Sequence, residues 1–495
     1  MPQKSPNILW VCSDQQRFDT LGCYGNKFTH SPNIDTLAGS GTLFESAYCQ
    51  SPVCTPSRSS FLTGRYPRTT RCRQNGQSIP ADEVLVTRLL ADAGYTCGLS
   101  GKLHLSACHP KAAPVRERRI NDGYSIFNWS HHPSISGSKD SSSTGSEETN
   151  WPTNEYNLWL TQQGRDFESR PIAQSPHVSY GMPKEFHQTT WCVNKAMEFI
   201  EHGAKHQKPW AFTVNIYDPH HPFDPPEEFL RPYLERLEEI PLPNYVPGEL
   251  ANKPEWQTLD SGGAYGGTGI AAAKMSPQDH RCLRAAYWAM CDLIDLQMGR
   301  LMESLKGSGQ LENTLVIYMS DHGEMLGDHG IYLKGPYFYE PAVHVPLIIS
   351  WAGKLAGGRR SKALVELVDL APTLLEAAGL PRYAGMQGRS LWPLLIGQEN
   401  LNHHRDDVHC EFYNGASDYG NNKPFCSMVR DDRWKLVAFH GVDQGELYDL
   451  QTDPRETHNL WADPASTGQK LRLLKCLCDR MAQTVDPLPV REAIW

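Results

Sequence analysis

The chain has 495 residues, enough for a large core and for two or three domains, one dominant α/β unit with a smaller companion. Hydrophobic residues at 39% and charged residues at 21% are ordinary for a globular protein. The formal net charge of −9 excludes general nucleic-acid or anionic-membrane binding, because no basic excess exists to meet phosphates. No apolar stretch is long enough to span a bilayer and no signal-like apolar run precedes Asn7. The sequence as written is therefore expected in the cytoplasm, or secreted or periplasmic if a signal has been removed. Fourteen scattered Cys without a CxxC pair predict reduced thiols, and Cys476 and Cys478 fall in a Leu-rich helical pattern that reads as packing.

In chain order, Pro6 to Asp14 reads as a short buried strand ending in a carboxylate. Val86 to Gly94 has helical spacing and a Gly stop, and Tyr95 to Ser100 then reads as a strand. Ser134 to Asn150 is Ser-rich and polar, a surface insertion. A helix over Thr189 to His202 precedes the strand Trp210 to Tyr217. Pro241 to Pro277, rich in Pro and Gly, reads as a loop, compatible with a lid or with plain surface. A long amphipathic helix over Arg281 to Leu305 leads to the strand Thr314 to Ser320; the run Val345 to Trp351 and a helix over Val368 to Gly379 follow. This alternation predicts a mostly parallel sheet covered on both faces. The texture changes near Gly388–Gly397, dividing the chain into residues 1–388 and 389–495. Beyond it, Phe425 to Arg430, Trp434 to Phe439 and Glu446 to Leu450 predict an antiparallel sheet, and Gly468 to Thr484 a final helix.

Ligand sites in open α/β sheets lie at the carboxyl ends of strands. Four predicted strands end in reactive side chains: Asp14-Gln15, Lys102 with His104, Asp218 to Pro222 with His220 and His221, and Asp321-His322. Between the first two lies Cys54-Thr55-Pro56-Ser57-Arg58, where Pro and Ser precede an apolar helical segment. Cys54 is thus expected near a helix N-terminus, where free N–H groups favour an anion and depress a thiol pKa. A small buried thiol is the alternative.

Cys54-x-Pro56-x-Arg58 within CTPSRSSFLTGRYP resembles the formylglycine signature of the type I sulfatases, of the alkaline-phosphatase-like superfamily. Four further motifs agree in order: Asn7-Ile8 with Asp14, Gly101-Lys102-x-His104, Pro219-His220-x-Pro222, and Asp321-His322-Gly323 with Lys334 downstream. The tail from Glu446 to Leu460 resembles the family's C-terminal subdomain. The resemblance implies a large mixed, mostly parallel sheet sandwiched by helices, and a smaller C-terminal α+β subdomain with an antiparallel sheet.

It also implies a sulfate-ester hydrolase, its substrate first a sulfated carbohydrate and next a small aryl or alkyl sulfate. Cys54 would be oxidised to 3-oxoalanine (formylglycine) by a separate maturation enzyme. Asp14, Gln15, Asp321 and His322 would hold one divalent cation completed by residue 54. Calcium is the first expectation, with Mn²⁺ or Mg²⁺ as alternatives. Most relatives carry Asp at the position of Gln15 and often Asn at that of His322, which leaves the metal open. Lys102, Lys334 and His220 would receive the sulfate charge, and Arg58 would fix the formylglycine loop. His220 would protonate the leaving alcohol, with His221 the one-residue alternative, and His104 would take the proton that expels sulfate. His344, where many relatives have Arg, is equally a packing residue. Gln15 and His322 also resemble the phosphonate monoester and phosphodiester hydrolases of the superfamily, whereas the Lys102/His104 pair favours sulfate. A non-catalytic glycan-binding protein on the same scaffold would show broken catalytic positions, and none is found. Trp151, Trp191 and Trp256 are candidates for stacking on sugars or for the core.

Overall fold

The computed structural model describes residues 5–109, 112–113, 115–132, 154–206, 208–415, 419 and 423–493. The predicted insertion at 134–150, with Trp151, lies outside them. Eight main strands build the large sheet: β1 (Asn7–Ser13), β2 (Thr42–Tyr48), β3 (Thr96–Gly101), β4 (Ile126–Trp129), β5 (Trp210–Asn215), β6 (Thr314–Ser320), β7 (Leu347–Ser350) and β8 (Arg359–Glu366). Their spatial order is β8-β2-β7-β6-β1-β5-β3-β4, and the short strand His344–Val345 pairs with β2. Only β7 and that short strand run antiparallel to their neighbours. The sheet is therefore mixed and mostly parallel, as expected.

β1, β5 and β6 are buried along their whole length because helices cover both faces. One face packs Trp10, Ile317 and Phe61 with the helix α1 (Cys54–Thr63). The other packs Leu9, Val11, Phe212 and Val316 against α2 (Gln188–His206) and α3 (Pro277–Gly307). At the start of α3, Ser276 Oγ accepts from Asp279 N and the Asp279 carboxylate accepts from Ser276 N, satisfying two free backbone donors.

A second, antiparallel sheet holds β9 (Val408–Tyr413), β10 (Phe425–Arg430), β11 (Trp434–Phe439) and β12 (Gly445–Asp449), in that order. The helix α4 (Thr467–Gln483) lays Leu473 and Leu477 on Val429, Leu436 and Leu447. Glu366 ties the two sheets: it accepts from Tyr66 Oη (2.6 Å), Arg480 NH2 (2.6 Å) and the His409 N–H (2.7 Å), and pairs with Arg405.

Two expectations change. Residues 241–277 are not one open loop: they carry the helix Glu255–Gly262 and several single turns. They are tied down by Lys253, whose Nζ reaches Tyr339 Oη (2.9 Å), Tyr448 Oη and the Glu456 carbonyl (3.1 Å). Strands β2, β4, β8 and β9 were not anticipated from the sequence. Trp191 and Trp256 are core residues; Trp256 stacks on Phe439 at 5.4 Å. No helix among the described residues is long and apolar enough to cross a membrane, and all fourteen Cys are free thiols.

Candidate active site

The four strands that end in reactive side chains, β6, β1, β5 and β3, are consecutive in the sheet, so their carboxyl ends form one wall. The chain leaves β1 through Asp14, whose N–H donates to the Asp218 carbonyl beyond β5 (3.1 Å). It leaves β6 through Asp321, whose N–H donates to the Ser13 carbonyl (3.2 Å). At the end of β3, Gly101 adopts a φ of +94°, and a Cβ there would lie 2.0 Å from the Asn215 carbonyl oxygen. Glycine lets the chain pass β5 closely and turn Lys102 inward. Gln15 and His104 hold left-handed φ values of 67° and 56° without being Gly. Such backbone costs about 1–3 kcal/mol per residue and persists where the surroundings fix it, often at functional sites.

Cys54 is the first residue of α1, after the extended Val53. Every side chain of this helix is buried, and Gly64 closes it in a left-handed turn with its N–H on the Ser60 carbonyl (2.8 Å). Cys54 Sγ lies 3.1 Å from His322 Nε2, 3.0 Å from Lys334 Nζ and 3.7 Å from Asp14 Oδ1. Lys334 Nζ also donates to Gln15 Oε1 at 2.7 Å. Arg58, one turn along the helix and fully buried, joins the two carboxylates: Nε donates to Asp321 Oδ2 (2.9 Å) and NH2 to Asp14 Oδ2 (3.2 Å). Its NH1 donates to the Lys102 carbonyl (3.0 Å), and Lys102 Nζ pairs with Asp14. Ser57 Oγ donates to the Asp321 carbonyl.

Three basic side chains, Arg58, Lys102 and Lys334, thus face two carboxylates in a buried space. Burial raises the Cys54 thiol and Asp14 adds to this, but Lys102, Lys334 and His322 bring it down to about 5. Burial also opposes charge on Asp14, yet Lys102, Arg58 and Lys334 hold it well below the usual carboxylate range. Burial disfavours a charged His322, but Asp321 and Cys54 lift it to about 9. Burial, with Lys102 and Arg58, pushes His104 well down; burial, with Lys334 and neighbouring histidines, does the same to His220 and His221. These imidazoles are neutral and in a form able to accept protons.

Asp14, Cys54, Asp321 and His322 each offer a ligand atom, all within 4.8 Å of one another. Two carboxylates and one imidazole suit a hard divalent cation, and the Gln15 carboxamide oxygen reaches the same space through Lys334. The donor set therefore fits the cation that the resemblance implies.

The predicted residues Asp14, Gln15, Cys54, Arg58, Lys102, Asp321, His322 and Lys334 are joined by direct contacts. His104 and His220 stand beside them; His220 Nδ1 sits 2.6 Å from the His221 carbonyl, and the two rings stack at 4.1 Å. His344 is a packing residue: its ring stacks on Phe18 at 3.8 Å and its Nδ1 lies 2.9 Å from Glu340 Oε2. Sequence reasoning missed three side chains. Glu117 accepts from the His104 and Leu105 N–H groups (2.9 and 3.0 Å) and from Trp129 Nε1 (2.8 Å), fixing the turn after β3. Glu324 accepts from Gln15 Nε2 and from the Leu326 N–H (2.9 Å), aiming the carboxamide. Tyr265, in a left-handed turn, places its ring 6.0 Å from that of His221. Only Glu324 carried a signal, its place directly after Asp321-His322-Gly323.

The sulfatase family model matches residues 6–380, which take in every side chain of this site. A model described as the C-terminal part of N-sulphoglucosamine sulphohydrolase matches residues 327–483. The uncharacterized sulfatase YidJ of Escherichia coli is 32% identical, over 98% of this chain and 88% of its own. The N-acetylglucosamine-6-O-sulfatase of Bacteroides thetaiotaomicron is 25% identical over the same shares. Among solved structures, the phosphonate monoester hydrolase of Agrobacterium radiobacter superposes with a TM-score of 0.80 at 27% identity, over 98% of this chain and 97% of that one. The chain belongs to the sulfatase family of sulfuric ester hydrolases, on an alkaline-phosphatase-like fold.

Proposed function

We propose that the protein hydrolyses the sulfate ester of a carbohydrate, with residue 54 as formylglycine and one divalent cation, calcium first. The observation that carries this reading is the contact set of Cys54 with Lys334, His322 and Asp14 at the start of a buried helix. A maturation enzyme acting on Cys54-x-Pro56-x-Arg58 would convert the thiol before or during folding, since the finished helix is wholly buried.

Formylglycine supplies a hydrated aldehyde as nucleophile, and a dication held by Asp14, Gln15, Asp321 and His322 supplies positive charge at the reacting oxygens. The chain's own residues do the rest. Lys102 and Lys334 neutralise the charge that builds on the sulfate oxygens, and Arg58 holds Asp14 and Asp321 in place. His220, stacked on His221, protonates the leaving alcohol as its imidazolium, a form favoured once the negative sulfate is bound beside it. A neutral His104, held by Glu117, takes the proton whose removal regenerates the aldehyde. Tyr265 and His221 offer ring faces to a sugar beside the sulfate.

A phosphonate monoester hydrolase is the second reading, favoured by the superposition on the Agrobacterium enzyme and by Gln15 and His322. The test is a comparison of kcat/KM for an aryl sulfate and an aryl phosphonate monoester, followed by a desulfation screen over defined sulfated saccharides. Faster sulfate hydrolysis and release from a saccharide support the proposal; a phosphonate faster by orders of magnitude replaces it with the second reading.

A further inference from the structure

A second group of ligating side chains lies behind the first. His104, in the turn after β3, Cys108 four residues on, and His131, just past β4, each bring one ligand atom to within 4.8 Å of the others. The rings of His104 and His131 meet edge-on at 4.8 Å. His104 Nδ1 is buried with no hydrogen-bond partner among the described residues. Glu117 Oε2 lies 3.7 Å from Cys108 Sγ, while Trp129 Nε1 and the His104 N–H hold that carboxylate in place.

Two imidazoles and a thiolate form a soft donor set. They match Zn²⁺ and not Ca²⁺ or Mg²⁺, which take oxygen. Zinc bonds of about 2.0 Å to nitrogen and 2.3 Å to sulfur put tetrahedral donors about 3.3–3.5 Å apart. Atoms already within 4.8 Å close on an ion by small side-chain rotations. The carboxylate behind them is the kind of outer partner that orients ligands at metal sites.

We propose that His104, Cys108 and His131 form a zinc site, separate from the hard-cation site at Asp14, Asp321 and His322, and that zinc there inhibits turnover by withdrawing His104. The binding half stands on these residues alone; the inhibitory half rests on the role given to His104 above. Binding forms two Zn–N bonds and one Zn–S bond, releases the Cys108 proton to solvent and changes no oxidation state.

Cobalt is the probe, because a thiolate ligand gives Co²⁺ an intense charge-transfer absorption. The full chain with Cys54→Ala, which removes the other candidate thiol, is saturated with Ca²⁺ and titrated with Co²⁺. The expected result is a charge-transfer band that Zn²⁺ abolishes by displacement, that Cys108→Ser eliminates and that His131→Gln weakens. No band, or a band that survives Cys108→Ser, overturns the site. With the matured protein in Ca²⁺, zinc inhibits hydrolysis, and Cys108→Ser leaves the basal rate unchanged while raising the inhibitory zinc concentration at least about tenfold. A cobalt band without zinc inhibition overturns the inhibitory half and leaves the rest of the proposed function standing.

Discussion

Lys334→Ala probes the electrostatics of the site most sharply. The ammonium lies 3.0 Å from Cys54 Sγ and 2.7 Å from Gln15 Oε1, in a space without bulk water. At 3 Å and an effective dielectric constant of about 20, a unit charge pair is worth about 5 kcal/mol. The substrate already carries charge in the ground state, so only part of this favours the transition state. Losing one preorganised donor of this kind costs about 2.7–4 kcal/mol, a fall of about 10²–10³ in kcat. In calcium-free protein, truncation also leaves the Gln15 oxygen without its donor, a stability cost of about 1–3 kcal/mol. The assay is kcat/KM on an aryl sulfate at saturating calcium, with urea unfolding in parallel and conversion of residue 54 verified by peptide mass. Activity within about threefold of the parent, in fully converted protein, would refute the assignment of Lys334 to the sulfate charge.

Arg58→Met uncouples two buried carboxylates and is expected to lower stability by about 3–5 kcal/mol in urea unfolding; a loss below about 1 kcal/mol contradicts the bridging role. Glu117→Gln loosens the turn that presents His104, and is expected to lower kcat at least about tenfold with KM little changed; an unchanged kcat and pH profile would assign Glu117 to packing alone. Removing calcium with a chelator is expected to lower the thermal midpoint, by an amount equivalent to about 4 kcal/mol when calcium had stood at a thousand times its dissociation constant. Asp321→Asn should abolish that difference, and an undiminished shift in the variant would remove Asp321 from the ligand set. Burial lifts Asp260 to about 7 against the pull of the Gly266 N–H and Tyr419 Oη. Its folded pKa is raised, so its contribution is fully present below about pH 4, falls as pH rises through 7 and is level above. Asp260→Asn is expected to remove about 4 kcal/mol of that dependence; identical stability profiles for the two proteins would refute it.

The sequence showed the central strands and not the outer ones, for a physical reason. β1, β5 and β6 are covered on both faces and read as unbroken apolar runs. β8 is an edge strand with Arg360 and Lys362 exposed in its first half, and β4 is a short edge strand of four residues. β2 carries the half-buried Glu45 and Ser46 in its middle. β9 alternates apolar and polar residues from Val408 to Phe412, yet both its faces are buried, with His409 and Glu411 satisfying each other at 2.8 Å. The site was legible because four motifs close strands, and strand ends of one parallel sheet must meet, while the fifth, at Cys54, opens a helix. Glu117 and Tyr265 were not legible: one acts through hydrogen bonds to the His104–Leu105 turn, which no residue pattern marks, and the other is itself left-handed in a Gly-rich segment.

The mass of the peptide spanning Cys54 tests the central claim most directly, in protein from a host with a maturation enzyme and with activity measured on the same sample. The account predicts a residue 54 that has exchanged sulfur and two hydrogens for one oxygen, in a fraction that scales with aryl sulfate turnover. Full sulfate hydrolysis by protein whose Cys54 remains a thiol would contradict it.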